Sequence, residues 1–193
     1  MFTEDYLMRI INQAIAALMT AIGLRKAGKY SEAREAINQA IEQLTSLPAN
    51  LVEQMDDASL MSMLTMQGQL DVGRLAILAD LFQEEGGINS KLGQSAEGSF
   101  AAARALRFTL EVVLADDSHL SAENIGKIET LYQSLKERDL PVETQLALSD
   151  YYQRVLDKDD QILAAGGMSR KQVSEALARV QDQLGSSQNI IGD

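Results

Sequence analysis

Apolar residues recur at spacings of three and four along most of the chain, and no stretch alternates strictly, so the pattern predicts helices rather than strands. Leu7, Ile11, Ala14, Leu18 and Ile22 form one stripe of a first helix from Thr3 to Ala27, with Phe2 and Leu7 as a hydrophobic staple. Tyr6, Ile10, Ile15 and Met19 widen that stripe beyond the usual apolar arc. A helix with so wide an apolar face is either sandwiched between neighbours or used in self-association. Lys26 sits in its last turn and Gly28 is its stop. A second helix, Ser31 to Leu47, carries Ala33, Ile37, Ala40, Ile41 and Leu44 inward and ends at Pro48. In the connector that follows, Asp56 or Asp57 caps a short helix with Leu60, Met61, Met63, Leu64 and Met66. Its methionines, with Met55, are expected to fill core space.

A third helix is expected from Leu70 to Glu85, with Val72, Leu75, Ile77, Leu78, Leu81 and Phe82 as its large apolar residues, stopped by a Gly-rich break over 86–93. The fourth, Ser95 to Leu114, is rich in alanine and glycine, which lets helix backbones approach closely. Ser121 caps a fifth helix with Ile125, Ile128, Leu131, Tyr132 and Leu135. Pro141 opens a sixth at its first position, followed by Val142, Leu146, Leu148, Tyr151, Tyr152 and Val155. Gly166-Gly167 precedes a last helix that starts on a Ser169/Gln172 capping box and ends at Gly185. The sum is an all-α chain of about seven helices in stacked antiparallel hairpins. It reads as a single helical domain, 1–193: a hairpin over 1–48, a connector over 49–69, hairpins over 70–115 and 116–164, and a capping helix over 168–185.

The turn between the first two helices carries Gly28, Tyr30, Ala33, Ile37 and Ala40. That spacing resembles half of a tetratricopeptide repeat, whose turn reads Gly-x-Tyr-x-x-Ala, then a bulky residue four on and Ala three further. The remaining hairpins are degenerate by that pattern, so the resemblance implies a TPR-like fold with one recognisable repeat. The opening Asp5-Tyr6-Leu7-Met8-Arg9-Ile10-Ile11, with Gly23-Leu24-Arg25-Lys26, also resembles the start of an uncharacterised family of helical bacterial proteins. TPR-like folds hold peptides in a groove lined by the first helix of each pair, which implies Ile15, Leu18, Met19, Ile22 and Lys26 as partner-binding positions. Those side chains are apolar except the last, which suits a helix rather than an acidic peptide tail. The occupant is a partner helix, a second copy, or the chain's own C-terminal segment through Val173, Leu177, Val180 and Leu184.

Charge narrows the function classes. The 193 residues hold 17 Lys and Arg against 28 Asp and Glu, a formal net charge of −11. Such a surface has no basic footprint for nucleic acid or an anionic membrane. There is no Cys and one His, so disulfides, thiol chemistry and multi-His metal sites are excluded within one chain. Arg9, Asn12 and Gln13 interrupt the one membrane candidate, and the acidic start is unlike a secretory signal, so a soluble, cytoplasmic protein is expected.

No motif carries catalysis. Asp117-Ser118-His119 holds the residue types of a hydrolase triad, but such triads are assembled from distant segments, so a turn is expected. Asp157, Asp159 and Asp160 lack the Gly and the bidentate Glu of a calcium loop. Gly86-Gly87 with Lys91 lacks the Gly-Lys-Ser/Thr ending of a phosphate loop. Glu84-Glu85 and Asp116-Asp117 are expected as solvated helix ends. The resulting expectation is a non-catalytic adaptor or scaffold that needs no cofactor or metal, binds a protein or helical peptide, and dimerises through its first helix. The alternative is a helical sensor of a small ligand held in an enclosed apolar pocket.

Overall fold

The computed structural model describes residues 2–136 and 138–189. Among these the chain is all-α apart from one hairpin of two-residue strands, and it forms two compact units, Met1–Phe108 and Thr109–Asp193. The first unit holds α1 (Phe2–Lys26), α2 (Tyr30–Thr45), α3 (Ala49–Gln54), α4 (Asp57–Met63), β1 (Thr65–Met66), β2 (Gln69–Leu70), α5 (Val72–Lys91) and most of α6 (Ser95–Ala115). The second holds a 3-10 turn (Asp117–His119), α7 (Ala122–Ser134), α8 (Val142–Leu156), α9 (Asp160–Ala165) and α10 (Arg170–Asn189). Ten α-helices therefore replace the expected seven among the described residues. Besides the short connector helix that was expected (α4), the additions are α3 in the same connector and α9 at the end of the third expected hairpin.

In the first unit α1 and α2 fold back on one another across Gly28, whose φ of 77° is left-handed, as a helix stop requires. The inner face of α2 is the one the spacing predicts: Ala33, Ile37, Ala40, Ile41 and Leu44 are all buried. Both helices pack on α5, which contributes Leu75, Leu78, Leu81 and Phe82 to the core. The α1 stripe is displaced from expectation. Ile10, Ala14 and Ala21 are buried, whereas Ile11, Leu18 and Ile22 are half-buried and Ile15 is exposed. The Phe2 side chain of the expected staple lies outside the described residues.

The connector also departs from expectation. Asp56 caps α4 by accepting from the Ser59 backbone N–H at 2.8 Å. The core there is built from Val52, Leu60 and Leu64, while Met63 and Met66 are exposed and Met55 and Met61 half-buried. Leu60 and Leu64 lie four residues apart and take the inner face of the short helix, which turns the methionines outward. β1 and β2 pair antiparallel, with Thr65 opposite Leu70, around Gln67 and Gly68. Both turn residues have positive φ, the conformation that closes a two-residue hairpin.

The largest correction concerns Gly86-Gly87. They do not break the third helix; α5 runs through them to Lys91. A Cβ at Gly86 would lie 2.9 Å from the Gly98 carbonyl oxygen, and one at Gly98 would lie 2.6 Å from Ser90 Oγ and 3.0 Å from the Gly86 carbonyl. Gly86 and Gly98 are thus the contact point at which α5 and α6 touch backbone to backbone. Gly87, its neighbour, meets nothing within 4 Å. The two adjacent glycines should therefore respond oppositely to alanine. Gly86→Ala should destabilise by about 1–3 kcal/mol through overpacking. Gly87→Ala should stabilise by about 0.5–1 kcal/mol through helix propensity. Urea denaturation of both variants checks this, and equal midpoints would contradict the close crossing.

In the second unit Ser121 caps α7, and Ile125, Ile128 and Leu131 face inward as the spacing predicts. Pro141 stands one position earlier than expected, as the residue before α8. Within α8 Leu148, Tyr151, Tyr152 and Val155 are the large apolar and aromatic side chains that are buried, while Val142 and Leu146 are exposed. The Ser169/Gln172 capping box forms, with the Ser169 backbone N–H donating to Gln172 Oε1 at 2.8 Å. The helix it starts continues past Gly185 to Asn189. That helix packs on α8 through Val173, Ala176 and Val180.

Candidate functional site

Two features of the first unit have the chemistry of a binding surface. The first is the outer side of α1. Met8, Ile11, Ile15, Leu18 and Ile22 follow one another at steps of three, four, three and four, the heptad rhythm of a helix-pairing seam. Met8 and Ile15 are exposed, and Met19 beside them is 61% exposed. Four of the five expected groove positions, Ile15, Leu18, Met19 and Ile22, thus fall on one apolar strip, and Lys26 lies exposed at its end. The segment expected as an internal filler, Val173 to Leu184, spends its buried residues on α8. From Asp5 to Lys26, α1 is also long and apolar enough to cross a membrane by length and composition alone. Its inner face, however, is closed by α2, whose other side exposes Glu32, Glu35 and Glu42.

The second feature was not anticipated. A cleft of about 440 Å³ opens among α2, α3, α5 and α6. Its floor is built on one α5 face, Phe82, Glu85 and Asn89, and one α6 face, Glu97, Phe100, Ala101 and Arg104, at helical steps of three and four. Arg104 is 2% exposed. Its guanidinium donates to the Val52 carbonyl at 2.9 Å and to the Met55 carbonyl, so it holds the last carbonyls of α3. Its Nε lies 2.9 Å from Asp57 Oδ1. The same group stacks between the rings of Phe82 and Phe100, 5.3 and 4.9 Å from their centroids.

Glu85, 4% exposed, faces Glu53 across the cleft. Burial pushes its carboxyl up to about 7, and the Glu53 charge and a hydrogen bond with it act in the same direction. Arg34 and Arg104 oppose the shift. Asn89 is buried with its Oδ1 unpartnered, a state that costs about 1–3 kcal/mol. Arg34 donates to Gln94 Oε1 at 3.0 Å, which ties α2 to the α5–α6 turn. The cleft went unread because the presumed break at Gly86 cut α5 before Asn89. The readable signal was the continuation of the Leu78–Phe82 stripe into Glu85 and Asn89.

Glu84 and Glu85 are therefore not a solvated pair. Glu84 forms an ion pair with Arg25 of α1, and Glu85 points into the cleft. Asp116 caps the 3-10 turn through the Ser118 backbone N–H, and Asp117 pairs with Arg154 at 3.2 Å and Lys158 at 3.4 Å. Asp160 pairs with Arg170 at 2.8 Å, and Arg170 also donates to the Leu156 and Lys158 carbonyls at the end of α8. In the second unit the hydroxyls of Tyr151 and Tyr152 both donate to the half-buried Glu129 carboxylate, at 3.3 and 3.2 Å. Burial raises Glu129 against those two hydrogen bonds, and burial followed by the Glu129 charge raises both tyrosines. Among the described residues no group of three or more His, Cys, Asp or Glu is placed to hold a metal ion.

Residues 1–185 match the model of a family of unknown function, DUF6483, and the chain belongs to that family. No curated protein and no solved structure matches it.

Proposed function

We propose that this DUF6483 member is a non-catalytic, cytoplasmic interaction module that assembles by pairing its first helix with that of a second copy. The α1–α2 hairpin is read here as one TPR-like unit, on the strength of Gly28, Tyr30, Ala33, Ile37 and Ala40. The observation that carries the proposal is the heptad strip Met8–Ile22 on α1, exposed at Met8 and Ile15 and half-buried at Ile11, Leu18 and Ile22. A helix presenting such a seam is matched by another helix with the same rhythm, and an identical copy supplies it by a twofold contact. Charge selects the antiparallel orientation. Asp5 and Lys26, both exposed, hold the same flanking heptad position at opposite ends of α1. An antiparallel copy sets Asp5 beside the partner's Lys26 at both ends, and it also opposes the two helix dipoles favourably.

Light scattering at micromolar concentration should give twice the chain mass of 21.1 kDa. Ile15→Glu should give a folded monomer, since Ile15 lies outside the core. Asp5→Lys should weaken the dimer, and adding Lys26→Glu to it should restore it; a parallel pair would not show this rescue. A wild-type monomer overturns the reading, as does a monomer that binds phosphatidylcholine–phosphatidylglycerol vesicles through α1.

A further inference from the structure

The cleft of the first unit is an imbalance of acceptors over donors. Each of its two arginines is held by a partner outside the carboxyl pair: Arg104 donates to the α3 carbonyls and lies against Asp57, and Arg34 donates to Gln94. Glu53 and Glu85 share one hydrogen bond, which leaves their other oxygens, the Glu97 carboxylate and Asn89 Oδ1, and Asn89, 3% exposed, has no partner for that oxygen. Beside them Phe100 is 55% exposed, with Ala96 and Ala101 completing an apolar wall. We infer that this cleft binds the ammonium group of a small primary amine that carries an aromatic or aliphatic body. An ammonium has three N–H donors and no acceptor. Once Glu85 is ionised, Glu53 and Glu85 no longer share a proton, and with the Asn89 oxygen they provide three acceptors, while the body of the ligand lies against Phe100 and the alanines. The volume of about 440 Å³ is that of a small-molecule site. A divalent metal would want six or more oxygens, and the apolar wall offers none. An anion would meet the carboxyl groups. This inference is independent of the pairing of α1.

Isothermal titration calorimetry of the full chain with phenethylammonium chloride tests it, with phenylacetate and calcium chloride as comparison titrants. Saturable one-to-one binding of the amine at pH 8, and none of phenylacetate, is expected. Glu85→Gln and Asn89→Leu should each weaken the amine by about tenfold or more. Asn89→Leu removes a buried unpartnered acceptor, so melting at or above the wild-type temperature shows that the lost binding is local. Arg34 from α2, Glu53 from α3, and Glu97 and Arg104 from α6 are the charged groups that line the cleft with Glu85. With a midpoint of about 7, Glu85 is ionised about one-tenth at pH 6 and nine-tenths at pH 8, so amine binding should tighten about tenfold between them. No saturable amine binding overturns the inference. So does binding that both variants leave intact, or calcium or phenylacetate binding as well as the amine.

Discussion

Replacing Arg104 with methionine is expected to destabilise the protein by about 3–5 kcal/mol. The loss has three parts, all at one buried point. The carbonyls of Val52 and Met55 lose their donor, so the end of α3 is left unsatisfied. Asp57, whose carboxyl burial already pushes upward, loses the cation that opposes that shift. The sandwich with Phe82 and Phe100 loses its charge, although methionine keeps its bulk. A melting point lower by about 10 °C in circular dichroism corresponds to this range for a chain of this size. Arg104→Lys should recover only a small part, because one ammonium cannot reproduce the fork that reaches two carbonyls and a carboxylate. An Arg104→Met protein that melts with the wild type would contradict the clamp.

Stability should fall as pH rises through neutrality, and Glu85→Gln should remove most of that fall. Glu85 titrates near 4.5 in the unfolded chain and at about 7 in the fold. Between those values the folded protein keeps a proton that the unfolded chain has released. Folding therefore loses stability as pH rises across this window and levels off once Glu85 is ionised in both states. The gap corresponds to about 3 kcal/mol. Arg34, Glu53 and Arg104 face the carboxyl and set its position. Glu129, also raised by burial, contributes a fall of the same sign in both proteins, so the difference between wild type and variant isolates Glu85. Urea denaturation at several pH values between 5 and 8 reads it directly. Parallel curves would contradict a buried, protonated Glu85.

The α2 face and the caps at Ser121 and Ser169, with that of α4 narrowed to Asp56 or Asp57, were legible in the sequence because each depends on neighbours three or four residues away. The same locality explains why Gly28 was legible as the helix stop, which its left-handed φ serves. The wide apolar arc of α1 was legible too. Which part of it is buried was not, because that depends on where α2 and α5 lie. Gly86 was misread because glycine carries two meanings, turn and close approach, and only the presence of Gly98 across the contact selects the second. The cleft shared that fate. Glu85, Asn89 and Arg104 look like ordinary surface residues in sequence, and their chemistry arises from burial and from meeting across α3, α5 and α6. Helical character, helix starts and the acidic surface were thus determined by the sequence itself, through short-range spacing and composition. The face that α1 leaves open, and the carboxyl groups held away from water, were decided by tertiary packing, because burial and charge proximity exist only once distant helices meet.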